Sequence, residues 1–482
     1  MGMRVFLYAL CLAACACHVE PSRADGGAAA APDASVTEDA GTCAAQQWPG
    51  PPGCTATDLE GRLRCIPNLQ FTQSTATPPS GYTQYELTIR QPVDHDQLDG
   101  GTFGQRLHLL HRSFAAPLVL TTTGYDLGRG RSELTRSFEA NQLSYEHRYF
   151  VDSRPVPTDW SKLTIRQAAA DAHRLAVIFR WLYPGPWIGT GVSKGGMTSV
   201  YHRRFHPCDV DATVAYVAPV SQGPADPAYN DFLEQVGGAP WMNCRVLLAD
   251  LQKRLLTKRD QLTPLIAGDY TRIGGVDKAF ELAVIELNFA FWQYTAPSDV
   301  KYGCSAIPLG GSTDAQLLDF LEHHSPVQSL GGTGLLEEFE PYYYQAATQL
   351  GAPAPFEAHL SGLLRFPGAN VAATFAPPGV PIPFDAQAMA DVNRWLAAAG
   401  DRVMLVYGEL DPWSTRSFDF GARDGLKLLM LGGNHSARLG LLPMTQKKTA
   451  THTLERWLGI SIVFAPFLRP APLDEPERRY PR

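Results

Sequence analysis

The sequence predicts an α/β fold in which a mostly parallel sheet is interrupted by a large helical insertion. Short apolar runs alternate with amphipathic helical stretches, which is typical of strands connected through helices. Residues 188–219 follow the order strand, tight turn, helix and strand, which is a parallel crossover unit. Residues 222–385 break this alternation, because they carry mainly helical patterns separated by Gly/Pro loops.

The turn inside the crossover unit has the pattern G-x-S-x-G, with Ser193 between Gly191 and Gly195. A serine hydroxyl becomes a useful nucleophile only when its oxygen is exposed and a base lies within hydrogen-bond reach. A sharp strand-to-helix turn exposes that oxygen, and the two glycines remove side chains that would collide in the turn. Short patterns also occur by chance, but a strand before this one and a helix after it favour a nucleophile elbow.

Two further polar residues follow apolar runs later in the chain. Asp411 comes after the run 402–407, and His435 comes after the run 426–431. An α/β-hydrolase places its triad in the chain order serine, acid, histidine, each just past a strand. We therefore predict an α/β-hydrolase fold with Ser193 as nucleophile, His435 as base and Asp411 as the acid that orients it. The weaker candidates for the acid and the base are Glu409, Asp419 and His452.

The short apolar run 118–122 predicts another buried parallel strand, and it ends at Gly124 and Tyr125. In an α/β-hydrolase the loop after such a strand supplies one backbone N–H of the oxyanion hole. We expect that donor to be Gly124 or Tyr125, beside the N–H of Lys194. The alternative is an ordinary turn at the end of a strand.

Residues 143–150 also predict a strand, in which Glu146 is expected to be buried. A buried carboxylate requires a partner. One interpretation is an internal salt bridge of Glu146 with Arg148 or Arg154. The other is that Glu146 faces the site and binds the amine of a substrate.

The N-terminus has the features of an export signal, with Arg4 ahead of the apolar residues 5–14. The sequence LAAC that follows is typical of a bacterial lipobox, which would make Cys15 the lipidated first residue of the mature protein. Ordinary secretion is the alternative, because residues 14–16 also fit an A-x-A cleavage site. Both interpretations place the protein outside the cytoplasm.

The predicted organisation has six segments. The segment after the signal is rich in Ala, Asp, Gly and Pro, so it cannot bury enough apolar surface to offset its ordering entropy. Aromatic residues are frequent in the helical insertion, and a few of them are expected to line a substrate pocket. The segments are a signal peptide (1–14), a flexible tether (15–52), the first part of the hydrolase core (53–221), a helical cap (222–385), the second part of the core (386–465) and an irregular tail (466–482).

Composition excludes some partners. The net charge of −7, from 41 basic and 48 acidic residues, gives no reason to expect nucleic acid or an anionic membrane surface. No apolar run approaches the length of a membrane-spanning helix, so we expect membrane contact only through the lipid anchor. Neither C-x-x-C nor H-E-x-x-H occurs, so no metal or cofactor is expected. His173, in a predicted helix, is expected to be structural.

Six cysteines follow the signal region and predict up to three disulfides. A local bridge between Cys54 and Cys65 is plausible. Three others, Cys208, Cys244 and Cys304, are expected to tie the core to its insertion.

Several blocks of this sequence resemble peptidase family S37, the secreted prolyl tri/tetrapeptidyl aminopeptidases. They are GVSKGGMT, YHRRFHP, VAYVAP, YGELDPWS and GGNHS. The resemblance covers roughly residues 65–465, and it extends to the related Pro-Xaa carboxypeptidases and dipeptidyl peptidases. It implies a serine exopeptidase that releases short peptides from free N-termini, often with proline near the cut. Ser193, Asp411 and His435 stand at the triad positions.

Two other functions are compatible with these residues. An esterase or lipase shares the elbow and the triad, and it needs no free amine in its substrate. A non-catalytic binding protein could use the same scaffold, but it would not require Ser193, Asp411 and His435 together.

Overall fold

The computed structural model describes residue 43 and residues 48–421 and 423–461. In this part of the chain nine strands form one sheet in the order β1-β2-β3-β5-β4-β6-β7-β8-β9. The strands are Leu69–Gln73 (β1), Thr83–Pro92 (β2), Thr102–His111 (β3), Leu118–Thr122 (β4), Asn141–Tyr145 (β5), Trp187–Val192 (β6), Ala212–Tyr216 (β7), Val403–Gly408 (β8) and Gly425–Met430 (β9).

The strand directions divide the sheet into two parts. Strands β1, β2, β3 and β5 pair antiparallel to one another in turn. Strands β5, β4, β6, β7, β8 and β9 are all parallel. The central parallel strands β5, β7 and β8 are buried along their whole length, because helices cover both faces. This architecture confirms the predicted α/β-hydrolase fold.

Fourteen α-helices accompany the sheet in the described residues. They are Leu59–Cys65 (α1), Glu133–Ser137 (α2), Ile165–Phe179 (α3), Lys194–Phe205 (α4), Ala228–Gln235 (α5), Met242–Thr257 (α6), Arg259–Leu262 (α7), Val276–Tyr294 (α8), Asp314–His324 (α9), Val327–Gly331 (α10), Thr333–Gln345 (α11), Ala372–Phe375 (α12), Ala388–Ala399 (α13) and Met444–Leu458 (α14).

Helix α3 begins just after Thr164. The Thr164 side chain accepts a hydrogen bond from the Gln167 backbone N–H at 3.2 Å, which caps the helix. The Gln167 side-chain amide donates to Asp94 and accepts from the His95 N–H. The cap therefore also fixes the loop after β2.

Eight of the α-helices, α5 to α12, lie within residues 222–385, the range predicted for the helical insertion. Helix α8 is buried from Ala279 to Gln293, which is expected of a helix that other elements surround. Residues of this insertion share one apolar cluster with Tyr125, Phe150 and Trp413 of the core. The insertion thus packs directly on loops at one edge of the sheet.

Strand β5 is shorter than predicted. It ends at Tyr145, and the residues from Glu146 to Phe150 form a buried turn. Tyr149 adopts a φ of 75° there, a left-handed conformation that a continuing strand excludes. The apolar run indicated burial correctly but not the type of structure.

Three disulfides link Cys43 to Cys208, Cys54 to Cys65 and Cys244 to Cys304. The local bridge is confirmed, but the expectation that Cys208, Cys244 and Cys304 tie the core to the insertion is wrong. The Cys244–Cys304 bridge lies within the insertion. Cys208 instead binds Cys43, so the segment predicted as a flexible tether is fastened to the core near its end.

Three disulfides are consistent with an exported protein. None of the described helices has both the length and the apolar character that are needed to cross a membrane. The predicted signal peptide, the predicted lipidation site Cys15 and the predicted C-terminal tail lie outside the described residues.

Candidate active site

The predicted nucleophile stands in the turn between β6 and α4. Ser193 has φ 54° and ψ −121°, a strained conformation for a residue with a side chain. A Cβ at Gly191 would lie 2.2 Å from the Gly195 carbonyl, and one at Gly195 would lie 2.2 Å from the carbonyl of Thr122. The Ser193 N–H donates to the Tyr216 carbonyl at 2.8 Å. Close backbone contact on both sides holds the elbow, which explains why both glycines are needed.

The predicted acid and base are neighbours. Asp411 follows β8, and His435 follows β9. The Asp411 Oδ2 lies 2.8 Å from the His435 Nδ1. Asp411 is fully buried, and it also accepts hydrogen bonds from the Trp413 N–H at 3.1 Å and the Ser414 hydroxyl at 3.3 Å. These bonds fix the carboxylate against the imidazole, which leaves Nε2 on the other side of the ring for the nucleophile.

The insertion also holds the base in place. The His435 N–H donates to the carbonyl of Gln293 at 2.9 Å, and the Tyr294 ring packs edge-on against the imidazole at 5.9 Å. Helix α8 therefore contributes to the site through its last turn. The sequence identified Tyr294 as one of the aromatic candidates, but it gave no signal for Gln293.

Ser193 and His435 line one cavity. The other described residues that line it are mostly apolar or aromatic, and none of them carries a carboxylate. They are Tyr125, Lys194, Met197, Pro219, Ser221, Gln293, Tyr294, Tyr342, Leu350, Gly351 and Trp413.

The predicted oxyanion donors differ in whether their backbone N–H groups already donate to a nearby hydroxyl. The Lys194 N–H is at the first position of α4, so it has no carbonyl one turn earlier within the helix. The Gly124 N–H donates to the Thr122 hydroxyl at 3.0 Å, and the Tyr125 N–H donates to the Thr123 hydroxyl at 2.9 Å. To donate to an oxyanion, either loop N–H must therefore share or break its hydrogen bond to the threonine hydroxyl.

The Lys194 side chain connects the elbow to this loop. It is only 2% exposed, and its Nζ donates a hydrogen bond to the Gly124 carbonyl. The same atom lies 5.3 Å from the centre of the Tyr125 ring and 5.4 Å from that of the Phe150 ring. Burial holds the pKa of the Lys194 ammonium well below its ordinary value. The G-x-S-x-G motif allows any residue at position 194, so the sequence did not predict the contact between Lys194 and Gly124.

Comparison with known proteins now identifies the family. The PS-10 peptidase S37 family model matches residues 53–466. The chain belongs to this family. A prolyl tri/tetrapeptidyl aminopeptidase of Streptomyces mobaraensis is 39% identical over 418 residues, which cover 84% of this chain and 86% of that protein.

Solved structures share only distant similarity with this S37 chain. A homoserine O-acetyltransferase of Staphylococcus aureus is 11% identical with a TM-score of 0.36, over 80% of this chain and 94% of that one. A peroxisomal α/β-hydrolase of Saccharomyces cerevisiae is 10% identical with a TM-score of 0.33, over 81% and 89% of the two chains.

Glu146 is buried as predicted, but its partners differ from the two arginines that the sequence suggested. Its carboxylate is 1% exposed and accepts hydrogen bonds from the Leu127 N–H and from the N–H and hydroxyl of Ser153. The closest cation is Arg106 at 3.8 Å, whereas Arg148 pairs with Asp171 and Arg154 with Glu340. Burial raises the pKa of Glu146. Glu146 joins two loops of the S37 core and is not among the described residues that line the cavity.

The weaker candidates for acid and base lie elsewhere. Glu409 accepts a hydrogen bond from the Gly432 N–H at 2.7 Å, and Asp419 accepts one from the Asn393 amide at 2.9 Å. His452 has a side chain that is 78% exposed, and it pairs with Glu455 on α14. The described lining of the cavity includes none of the three candidates.

Proposed function

We propose that this chain is an extracytoplasmic serine exopeptidase that releases tri- or tetrapeptides from free N-termini, with proline near the cleaved bond. The observation that carries the proposal is the Asp411–His435 pair, at 2.8 Å, whose histidine lines one cavity with Ser193 in a chain of the S37 family. The substrate class is supported by the Streptomyces mobaraensis relative, which is a prolyl tri/tetrapeptidyl aminopeptidase.

The proposed chemistry is acyl transfer through Ser193. The His435 Nε2 accepts the proton of the hydroxyl while the serine oxygen attacks the peptide carbonyl, and the same nitrogen then protonates the leaving amine. Asp411 stabilises the imidazolium through the bond to Nδ1. The Lys194 N–H faces the developing oxyanion at the start of α4. Water attacks the acyl-enzyme in the second half of the cycle, with His435 again acting as base.

The cavity also supports the proposed substrate class. Its apolar wall includes Met197, Pro219, Leu350 and Trp413, which suits a compact proline ring. Because the described lining has no carboxylate, the substrate's ammonium group would be bound by neutral oxygens, such as the side-chain amide of Gln293. Neutral acceptors bind an ammonium group less strongly than a carboxylate does.

The same lining favours a second candidate function. A neutral, mostly apolar cavity beside a serine triad also accommodates the acyl group of an ester, which has no charge to satisfy. A carboxylic ester hydrolase would cleave acyl esters and would need no free amine in its substrate.

The proposed location is outside the cytoplasm, with Cys15 as a lipid-anchored first residue. Three disulfides and the lipobox sequence support export. We expect wild type to incorporate an alkyne-labelled fatty acid and Cys15→Ala not to incorporate it. Export of wild type without this label would instead indicate ordinary secretion.

The function is tested by hydrolysis of Ala-Ala-Pro-nitroanilide, its N-succinyl form and a nitrophenyl ester. Wild type is compared with Ser193→Ala and with Ser199→Ala, a matched removal of a buried serine hydroxyl on α4. We expect cleavage of the free-amine peptide only, reduced at least about 1,000-fold in Ser193→Ala and retained in Ser199→Ala.

The other outcomes decide between the alternatives. Equal cleavage of the succinylated peptide would overturn the exopeptidase assignment while leaving the triad intact. Ester cleavage without peptide cleavage would establish the second candidate. Full activity in Ser193→Ala would remove Ser193 from the catalytic role.

A further inference from the structure

A cluster of histidines around one aspartate lies far from the candidate active site. His173 is on α3, His202 and His206 are at the end of α4, and Asp209 is in the loop before β7. A ring nitrogen of His173, one of His206 and a carboxylate oxygen of Asp209 all lie within 4.8 Å of one another. The helix between this cluster and Ser193 has 12 residues. It separates the two sites by about 18 Å, since a helix rises about 1.5 Å per residue.

One carboxylate serves two of the imidazoles. The His173 Nδ1 and the His202 Nε2 each lie 2.9 Å from the Asp209 Oδ2. Asp209 and His202 are both 2% exposed, whereas His173 and His206 are half-buried and accessible from solvent. His202 and His206 are four residues apart, so they lie on one face of α4.

We propose that His173, His206 and Asp209 bind a divalent transition-metal ion, with Zn²⁺ as the reference cation. Two imidazole nitrogens and one carboxylate oxygen form a ligand set that zinc accepts, with a water molecule in the fourth position. His202 is then an outer-shell residue that orients Asp209 through the 2.9 Å bond. Binding at His173 Nδ1 moves the proton shared with Asp209 to Nε2 of the same ring, so the imidazole remains neutral.

One ring has to move to complete the site. The His173 and His206 rings stack at 4.1 Å with an angle of 8° between their planes. The lone pairs of two parallel rings do not converge on one point, so the His206 ring must tilt. His206 is the C-cap residue of α4 and is half-buried, which gives its ring room to turn.

The proposed role of the metal is structural. Asp209 is adjacent to Cys208, whose disulfide fastens the segment at Cys43 to the core. A metal joining α3, α4 and this loop stabilises the attachment point without touching the catalytic residues. Metal removal should therefore leave peptide hydrolysis unchanged at moderate temperature, which separates this proposal from the proposed function.

The test is a calorimetric titration of the EDTA-treated full chain with Zn²⁺ alone. We expect one equivalent to bind with a micromolar or lower Kd. His206→Gln and His173→Gln should each weaken binding at least about tenfold, and His202→Gln should weaken it about 10- to 100-fold. His452→Gln, a replacement of an exposed histidine on α14, is the matched control and should bind as wild type does.

A second measurement uses only the wild-type protein, so its result does not depend on whether the variants fold. Cobalt(II) added to wild type should give the visible absorption of a four-coordinate nitrogen and oxygen site, and Zn²⁺ should displace it. Absence of zinc binding by wild type would overturn the proposal. Equal binding by His173→Gln and His206→Gln would also overturn it, as would loss of binding only in His435→Gln, which would place the ion at the catalytic residues.

Discussion

The two ends of helix α4 are built in opposite ways. At its N-terminus, backbone atoms are in direct contact, since Gly191 and Gly195 leave no space for a Cβ around Ser193. At its C-terminus, side chains from separate segments meet, and His202 and His206 surround a carboxylate from the following loop. The N-terminal arrangement leaves almost no room for an added side-chain atom, whereas the C-terminal arrangement depends on the charges of its side chains. Helix α4 thus has a sterically constrained turn at one end and a cluster of titratable side chains at the other.

For the two ends of α4, the largest expected effect comes from Gly195→Ala, which tests the sterically constrained N-terminal end. The added Cβ would lie 2.2 Å from the Thr122 carbonyl, so the elbow or strand β4 has to shift. We expect kcat/KM for Ala-Ala-Pro-nitroanilide to fall at least about 100-fold, because a displacement of 1 Å at a catalytic group has effects of that size. Overpacking should also lower the free energy of unfolding by about 1–3 kcal/mol in urea titrations.

The control for this change is Gly334→Ala near the start of α11. A Cβ there meets no atom within 4 Å, so alanine should fit and stabilise the helix by about 0.5 kcal/mol without changing kcat/KM. If Gly195→Ala were as active as wild type, the steric account of the elbow would be wrong.

A smaller effect is expected for Lys194→Met, which removes the link between the elbow and the loop at Gly124. The methionine keeps the apolar part of the side chain but loses the hydrogen bond to the Gly124 carbonyl. We expect kcat to fall roughly tenfold with little change in KM, because an intramolecular hydrogen bond contributes about 0.5–1.5 kcal/mol and its loss lets the loop shift. Steady-state kinetics and urea unfolding should be measured on the same samples.

Lys447→Met is the matched control, since Lys447 is buried on α14, outside the cavity lining. Its kinetics should equal those of wild type. A loss of kcat in Lys194→Met that merely follows the fraction unfolded would show that Lys194 supports the fold and does not position the loop.

The smallest effect concerns His147, which contacts the middle of α4 through the Tyr201 hydroxyl at 3.1 Å. Burial, assisted by Lys194, holds the pKa of His147 well below its ordinary value of 6.5. The unfolded chain therefore binds a proton below pH 6.5 that the folded chain does not bind, so stability falls as the pH falls. Between pH 7.5 and 5.5 this group should remove about 1.4 kcal/mol from the free energy of unfolding.

His147→Gln isolates that contribution, because glutamine retains polar atoms for Tyr201 but does not titrate. Urea unfolding at the two pH values should show a dependence about 1.4 kcal/mol smaller than in wild type. An unchanged dependence would mean that His147 is protonated in the folded protein.

Much of the fold was predictable because strand and helix signals are local. Strand β4 has the predicted limits 118–122, and β8 and β9 are each displaced by one residue from the predicted runs 402–407 and 426–431. The predicted order of serine, acid and histidine, each past a strand, follows from the topology of parallel sheets. The partners of Glu146 were not predictable, because an apolar run indicates burial but does not reveal which loops will surround a carboxylate.

The sequence by itself determined the α/β-hydrolase fold and the three triad candidates, because strand periodicity and short turn motifs depend on neighbouring residues. Only the tertiary structure decided the Cys43–Cys208 pairing, the contact of the Lys194 side chain with Gly124 and the cluster of His173, His206 and Asp209. The sequence motifs gave no indication of this cluster, because its members come from α3, from the end of α4 and from the following loop. Such sites depend on packing between distant segments, and no local pattern records that packing.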